Sequence, residues 1–172
     1  IQDTHHIPAL AHLTCCSSTR EEIHQRLEEM KARGIENILA LRGDRPKEFV
    51  PGPYTYAIQL IQDIKAQGDF CVGGACYPEC HPEAPNMDTD IRHLKEKVDA
   101  GCEFLTTQMF FDNNVYYNFL YRVLAVGIKV PVIPGIMPVI NAKQVKRSAE
   151  LSGAMMPPRF LAIADKFADD PL

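Results

Sequence analysis

Short, nearly continuous apolar runs alternate along the chain with longer stretches in which apolar residues recur every three or four positions. The first pattern belongs to strands buried on both faces, the second to amphipathic helices. The run at 9–16 predicts a strand. Ser18 or Thr19 then caps a helix with Glu21 and Glu22 in its first turn, where the dipole favours acids. Ile23, Leu27 and Met30 form the apolar face of that helix, and Gly34 ends it. A second strand is expected at 38–41, a helix at 54–67 stopped by Gly68, and a third strand at 70–76. The polar loop 77–87 leads into a helix at 88–100, stopped at Gly101, and a strand at 104–108. A helix at 113–126 stopped at Gly127, a strand at 130–136, and helices at 141–151 and 158–167 complete the series.

Five strands thus alternate with helices and none pairs as a hairpin, which implies parallel pairing through right-handed crossovers. No linker, low-complexity tract or charge block divides the chain, so 1–172 reads as a single domain. Two architectures fit, an open doubly wound sheet and a (β/α)8 barrel. The fingerprint G-x-G-x-x-G is absent after the first strand, which weakens the doubly wound version. Thr14, Arg42-Gly43-Asp44, the stretch from Tyr77 to His81, Gln108 and Met137-Pro138 fall at or just past the C-terminal ends of strands. A barrel brings such ends to one mouth, whereas an open sheet would spread them over about 20 Å. The expected fold class is therefore α/β, a parallel (β/α)8 TIM-type barrel with about five β/α units present and the N-terminal and C-terminal units lacking. Five strands leave two unpaired edges, so the chain is expected to aggregate or to pair with another copy as a homo-oligomer.

Composition narrows the function classes. A chain of 172 residues that is 46% hydrophobic and 23% charged can bury a sizeable core. A net charge of -4 argues against nucleic acid, and no apolar run approaches the roughly 20 residues that span a bilayer. The first ten residues lack both an initiator Met and the basic-then-apolar order of a signal peptide, so this start reads as the middle of a longer chain. Cys15, Cys16, Cys71, Cys76, Cys80 and Cys102 lie largely in or beside apolar runs and read as reduced thiols in the cytoplasm. The spacing Cys76-x3-Cys80-His81, with Cys15 and Cys16 distant, is looser than the paired ligands of structural zinc sites, and no metal is expected.

Four places carry chemistry. The turn Arg42-Gly43-Asp44-Arg45-Pro46 sets a carboxylate between two guanidinium groups, and Gly43 allows close backbone approach to a ligand; alone, it is also ordinary turn chemistry. The loop from Tyr77 to Ala84, stiffened by Pro78 and Pro82, presents Tyr77, Glu79, His81 and Glu83, a density of reactive types that points to function. Asp90, His93 and Lys97 fall at i, i+3 and i+7 on one helix face. There they bind an anion such as a phosphate, or form a solvated face in which Asp90 and His93 interact locally. Gln108 ends its strand with an amide that both donates and accepts, which suits a heterocycle, while Phe110 and Phe111 read as core. His12 lies within the first strand, either turned into the mouth or as a satisfied core residue, the commoner case.

Six stretches occur together: AHLTC at 11–15, LRGD at 41–44, YPE-x-HPEA at 77–84, LKEKVDAG at 94–101, TTQMFFD at 106–112 and IPGIMPV at 133–139. In this order and spacing the chain resembles the methylenetetrahydrofolate reductase family. That resemblance implies a (β/α)8 barrel with a flavin, FAD or FMN, at its C-terminal mouth. It also implies reduction of methylenetetrahydrofolate to methyltetrahydrofolate within one-carbon metabolism and methionine biosynthesis, with NADH or NADPH as electron donor. His12, Arg42, Gly43, Asp44, Ala57, Tyr77, His81, Asp90, His93 and Lys97 are then expected to line the flavin site. Asp44 takes a second role beside the flavin pyrimidine ring and the folate, where its charge tunes the reduction potential. Gln108 and Gln144 are expected to bind the folate pterin or the nicotinamide.

Departures from the family pattern matter too. The general-acid Glu of the first barrel strand, a flavin-contacting Thr of the second and a folate-contacting Arg after the last have no counterpart here. Glu96 falls where some relatives carry a cation near the flavin phosphates, and Ser148 where some carry an aromatic lid residue. Loss of a general acid typically costs about 10² to 10⁴ in rate, so this length of chain is expected to be inactive alone. Two other readings remain, a non-catalytic flavin- or folate-binding module and a reductase whose flavin is reduced by a partner protein.

Overall fold

The computed structural model describes residues 1–44, 52–137 and 142–167. Twelve elements follow in order: α1 (Gln2–His5), β1 (Leu10–Thr14), α2 (Arg20–Ala32), β2 (Asn37–Leu41), α3 (Ala57–Gln67) and β3 (Cys71–Cys76), then α4 (Met87–Asp99), β4 (Phe104–Thr107), α5 (Asn113–Ala125), β5 (Val132–Ile133), α6 (Ala142–Ser152) and α7 (Pro158–Lys166). The five strands form one sheet in the order β1-β2-β3-β4-β5. Parallel register runs from Leu10 opposite Asn37 to Thr14 opposite Leu41, and from Asn37 opposite Cys71 to Ala40 opposite Gly74. A doubly wound sheet reverses its strand order at a switch point, whereas a barrel lays each strand beside the one before. The unreversed order decides for the barrel type of winding.

By its internal contacts the chain forms two compact units, Ile1–Ala75 with Lys95–Leu105, and Cys76–Leu94 with Thr106–Leu172. In the first, Thr19 rather than Ser18 caps α2. Its Oγ1 accepts the Glu22 N–H at 3.2 Å, and the Glu22 carboxylate accepts the Thr19 N–H at 3.0 Å. Gly34 closes the helix at φ +67, a backbone angle that other residues adopt with strain. The core holds Ile23, Leu27, Ile38, Leu60, Ile61 and Ile64 with no exposed surface, and each contributes about 1.5–3 kcal/mol. β2 is buried along its centre, as its unbroken apolar run requires.

Two boundaries move by three residues from the sequence reading. The helix expected from 54 begins at Ala57 because the side-chain Oε1 of Gln59 accepts the N–H groups of Thr55 and Tyr56, at 2.6 and 2.9 Å. Tyr54 instead enters the core and donates to Asp63 at 2.6 Å. The strand expected at 130–136 shrinks to Val132–Ile133, because Pro131 and Pro134 bracket it and neither can donate to a ladder. α1 was not expected. Gln2 anchors it, donating to the Gly34 carbonyl at 2.6 Å and accepting the Ala9 N–H at 3.1 Å.

In the second unit, Asp112 caps α5 by accepting the Asn114 N–H at 2.8 Å. Phe119, Val123 and Ile128 are buried in its core, and so are Val145 and Ala149 of α6. Thr107, the last residue of β4, is buried, and its hydroxyl accepts the Gly135 N–H at 2.9 Å.

Candidate functional site

The first unit carries its reactive residues at strand ends. Burial alternates along β1, exposing Leu10, His12 and Thr14 while Leu13 is buried. His12 is therefore not a core histidine; it stands on the open face of its strand. Main-chain bonding continues past the strands: Cys15 N–H donates to the Leu41 carbonyl at 3.2 Å and Cys16 N–H to the Arg42 carbonyl at 2.8 Å. These bonds hold the Arg42-Gly43-Asp44 turn in place. Gly43 sits at φ +85, and a Cβ there would lie 3.2 Å from Thr14 Cβ, so both conformation and space select glycine. Arg42 is half-buried, its Nε donating to the Gly43 carbonyl at 3.4 Å, and Asp44 is exposed. Ala57 opens α3 half-buried. Lys97 of α4 donates to the Ala75 carbonyl at 2.6 Å, which holds a cation at the C-terminal end of β3.

Cys15, next to this turn, is buried, and burial pushes its thiol up to about 11. It is not a nucleophile at neutral pH. All six cysteines are free thiols. Among the described residues no group of three or more His, Cys, Asp or Glu side chains is placed to hold a metal ion. No helix of the described residues is long and apolar enough to cross a membrane.

In the second unit the loop after β3 is held by its own polar groups. His81 N–H donates to the Asp90 carboxylate at 2.8 Å, and His81 Nδ1 accepts the Glu83 N–H at 3.0 Å. An accepting Nδ1 puts the proton of the neutral ring on Nε2. The Tyr77 ring meets the His81 ring edge-on at 4.5 Å. Asp90 is thus tied to this loop, and His93, one turn further along α4, is exposed. Gln108 leaves β4 with its N–H on the Cys76 carbonyl at 2.8 Å, and its Oε1 accepts the Met109 N–H at 2.9 Å. That second bond orients the side chain and leaves its amide NH2 and one oxygen lone pair for a ligand. Gln144 is exposed on α6, and Ser148, one turn later, is half-buried.

A recess in this unit is lined by Tyr77, Pro78, Glu79, Cys80, Gln108, Met109, Ser152 and Ala154. Beside it lies a cavity of about 450 Å³, bordered by Met109, Phe110, Phe111, Asn113, Tyr116, Tyr117, Phe160 and residues 134–137. Phe110 and Phe111 are not core, as the sequence reading had them. Both are half-buried walls of this cavity, and Phe110 stacks on Tyr116 with centroids 5.2 Å apart and planes 3° from parallel. Sequence reasoning missed Tyr116 and Phe160, although Tyr116 lies on the first turns of a helix that starts beside them. Of the motif residues, Arg45, Pro46, Pro138 and Val139 lie outside the described residues.

The profile of the family described as "Methylenetetrahydrofolate reductase" matches residues 1–172, the whole chain. The chain belongs to the methylenetetrahydrofolate reductase family. Relatives agree: "5,10-methylenetetrahydrofolate reductase" of Escherichia coli is 40% identical over 173 residues, covering 99% of this chain and 57% of its own. "Methylenetetrahydrofolate reductase 2" of Saccharomyces cerevisiae is 43% identical over 168 residues, covering 92% of this chain and 28% of its own. The chain thus spans about half the length of its bacterial relatives and under a third of the yeast protein.

Solved structures speak to the fold. An uncharacterized protein from Clostridium thermocellum, which binds two copies of 5-methyl-5,6,7,8-tetrahydrofolic acid, superposes with a TM-score of 0.64 at 16% identity, over 96% of this chain and 56% of that one. Oxaloacetate acetylhydrolase in complex with oxalate superposes at 0.54 and 15% identity, over 94% of this chain and 56% of that one. These are barrel-type α/β folds, in accord with the unreversed strand order.

Proposed function

We propose that the intact protein to which this chain belongs reduces methylenetetrahydrofolate to methyltetrahydrofolate, with NADH or NADPH as the source of electrons and a flavin as cofactor. The observation that carries this reading is the family match over the whole chain, which spans every strand-end residue described above. A bound flavin would supply the chemistry of taking a hydride from the nicotinamide and passing it to the folate.

The donor set present fits such a group. Arg42 is a planar guanidinium and Lys97 a point cation, the two side-chain types that bind phosphate oxygens. Gly43, at φ +85 and without a Cβ, admits close approach of the backbone. His81, with its ring oriented by the Glu83 N–H, would donate from Nε2. His12, Ala57, Tyr77, Asp90 and His93 complete the set read for the flavin, taken as FAD. Asp44, an exposed carboxylate just past the end of β2, would accept from ring N–H groups. Its charge would oppose negative charge on a neighbouring ring and so set the potential at which the ring is reduced. Gln108 and Gln144 would hydrogen-bond the pterin or the nicotinamide. Six free thiols suit a reducing compartment, and we read the site of action as the cytoplasm.

The test uses the intact protein. Flavin absorbance, mass identification of the released cofactor, and NADH- and NADPH-dependent formation of methyltetrahydrofolate are measured together. Asp44→Asn should retain flavin yet lower folate reduction by about 10²-fold or more, with a shifted potential. An intact protein that binds folate without turning it over, with either nicotinamide, sinks the reading.

A further inference from the structure

Glu79 stands in the most polar loop of the chain, yet none of the proposed roles uses it. Its carboxylate accepts the Met155 N–H at 2.7 Å, joining residues 76 positions apart. A second contact occurs at the same place: a Cβ on Gly153 would lie 3.3 Å from Pro82 Cγ, so the turn after α6 rests on the loop after β3. The turn is built for this. Ser152 Oγ donates to the Ala149 carbonyl at 3.2 Å and accepts the Ala154 N–H at 3.3 Å, while Gly153 takes φ +71. The recess at this junction is lined by Glu79 and Gln108 from one side and Ser152 and Ala154 from the other. Glu79 therefore links the end of the helix that bears Gln144 to the loop packed beside Gln108.

We propose that Glu79 is a positioning residue: by accepting the Met155 N–H it sets the placement of the Gln144 helix relative to Gln108, and so the affinity for the heterocycle the two amides bind. The inference rests on the folate-reducing reading for its ligand and on the Glu79–Met155 contact for its geometry. A backbone N–H needs only an acceptor at the right distance. Charge is dispensable; reach is not.

In the intact protein, Glu79→Gln, Glu79→Asp and Glu79→Ala are compared by steady-state kinetics and by amide hydrogen exchange at Met155. Glu79→Gln keeps an acceptor oxygen in place and should match the wild type in both. Glu79→Ala, and Glu79→Asp with its shorter side chain, should speed exchange at Met155 by about tenfold. Both should raise KM for methylenetetrahydrofolate about three- to tenfold while kcat moves less than about twofold. Equal exchange rates in wild type and Glu79→Ala overturn the proposal. So does faster exchange with an unchanged KM, or a Gln variant that behaves like Ala. A wild-type protein that does not reduce folate sinks the reductase reading alone, and the contact is then judged by the exchange rates.

Discussion

Gly73 lies in β3 opposite Leu39 of β2, buried, and the ring of Phe104 occupies the space a side chain would need. A Cβ at this position would stand 2.2, 2.4 and 2.8 Å from three ring carbons. Ordinary carbon contacts are about 3.5–4.0 Å, so Gly73→Ala forces the ring back by roughly 1.3 Å. Driving this half-buried ring off its rotamer costs about 0.5–1.5 kcal/mol, and overpacking of this kind about 1–3 kcal/mol in all. Relief of glycine's backbone entropy returns roughly 0.5–1 kcal/mol. The net expectation is a loss of about 1–2 kcal/mol. Phe104→Leu removes the clashing atoms at its own cost of about 1–2 kcal/mol. If the ring is the obstacle, the double variant is more stable than the sum of the singles by at least about 1 kcal/mol. Urea unfolding followed by circular dichroism, with the slope held constant, measures all four corners of the cycle. Additivity within about 0.5 kcal/mol would refute the steric account.

Gly135→Ala should be worse, because the obstacle is main chain: its Cβ would lie 2.2 Å from the Thr107 carbonyl oxygen, where no side chain can yield. We expect a loss of about 3 kcal/mol or more with no rescue by Thr107→Ser, and a wild-type urea midpoint would sink this. Burial pushes the Cys15 and Cys102 thiols from 9.0 up to about 11. A raised folded-state value means their contribution to stability is complete below pH 9 and lost as pH rises to 11. The urea midpoint should fall across that window and fall less in a Cys15→Ala, Cys102→Ala variant. An identical fall in both proteins would show that other groups carry the alkaline transition.

Local pattern made most elements legible and left their facing undetermined. The apolar run of β2 needs no knowledge of its partners, since both its faces are buried. His12 is different: period-two alternation groups it with Leu10 and Thr14, but only the packed sheet shows that this set is the exposed one. The same gap explains Phe110 and Phe111, whose apolar character reads as core wherever no cavity is visible. α1 has four residues and no period to detect, and a contact such as Glu79 with Met155 has no signature in sequence at all. The strand-end motifs were legible for a physical reason. Their chemistry depends on residue type at fixed offsets from a strand, and both of those are written locally.

The shortness of β5 shows how one backbone constraint shapes the second unit. Pro131 and Pro134 withhold N–H groups on either side of Val132–Ile133, so the ladder to β4 ends after two residues. The next N–H, that of Gly135, turns instead to the Thr107 hydroxyl, and this close approach is open only to a residue without a Cβ. Leaving the sheet at this point carries Ile136 and Met137 to the cavity walled by Phe110 and Tyr116 rather than along an extended strand. Had β5 run on to 136, alternation would have sent neighbouring side chains to opposite faces of the sheet. The Pro-Gly pair thus does for this cavity what the Arg-Gly-Asp turn does for the end of β2: it ends a strand early and turns the following residues to a site that a longer strand would have bypassed.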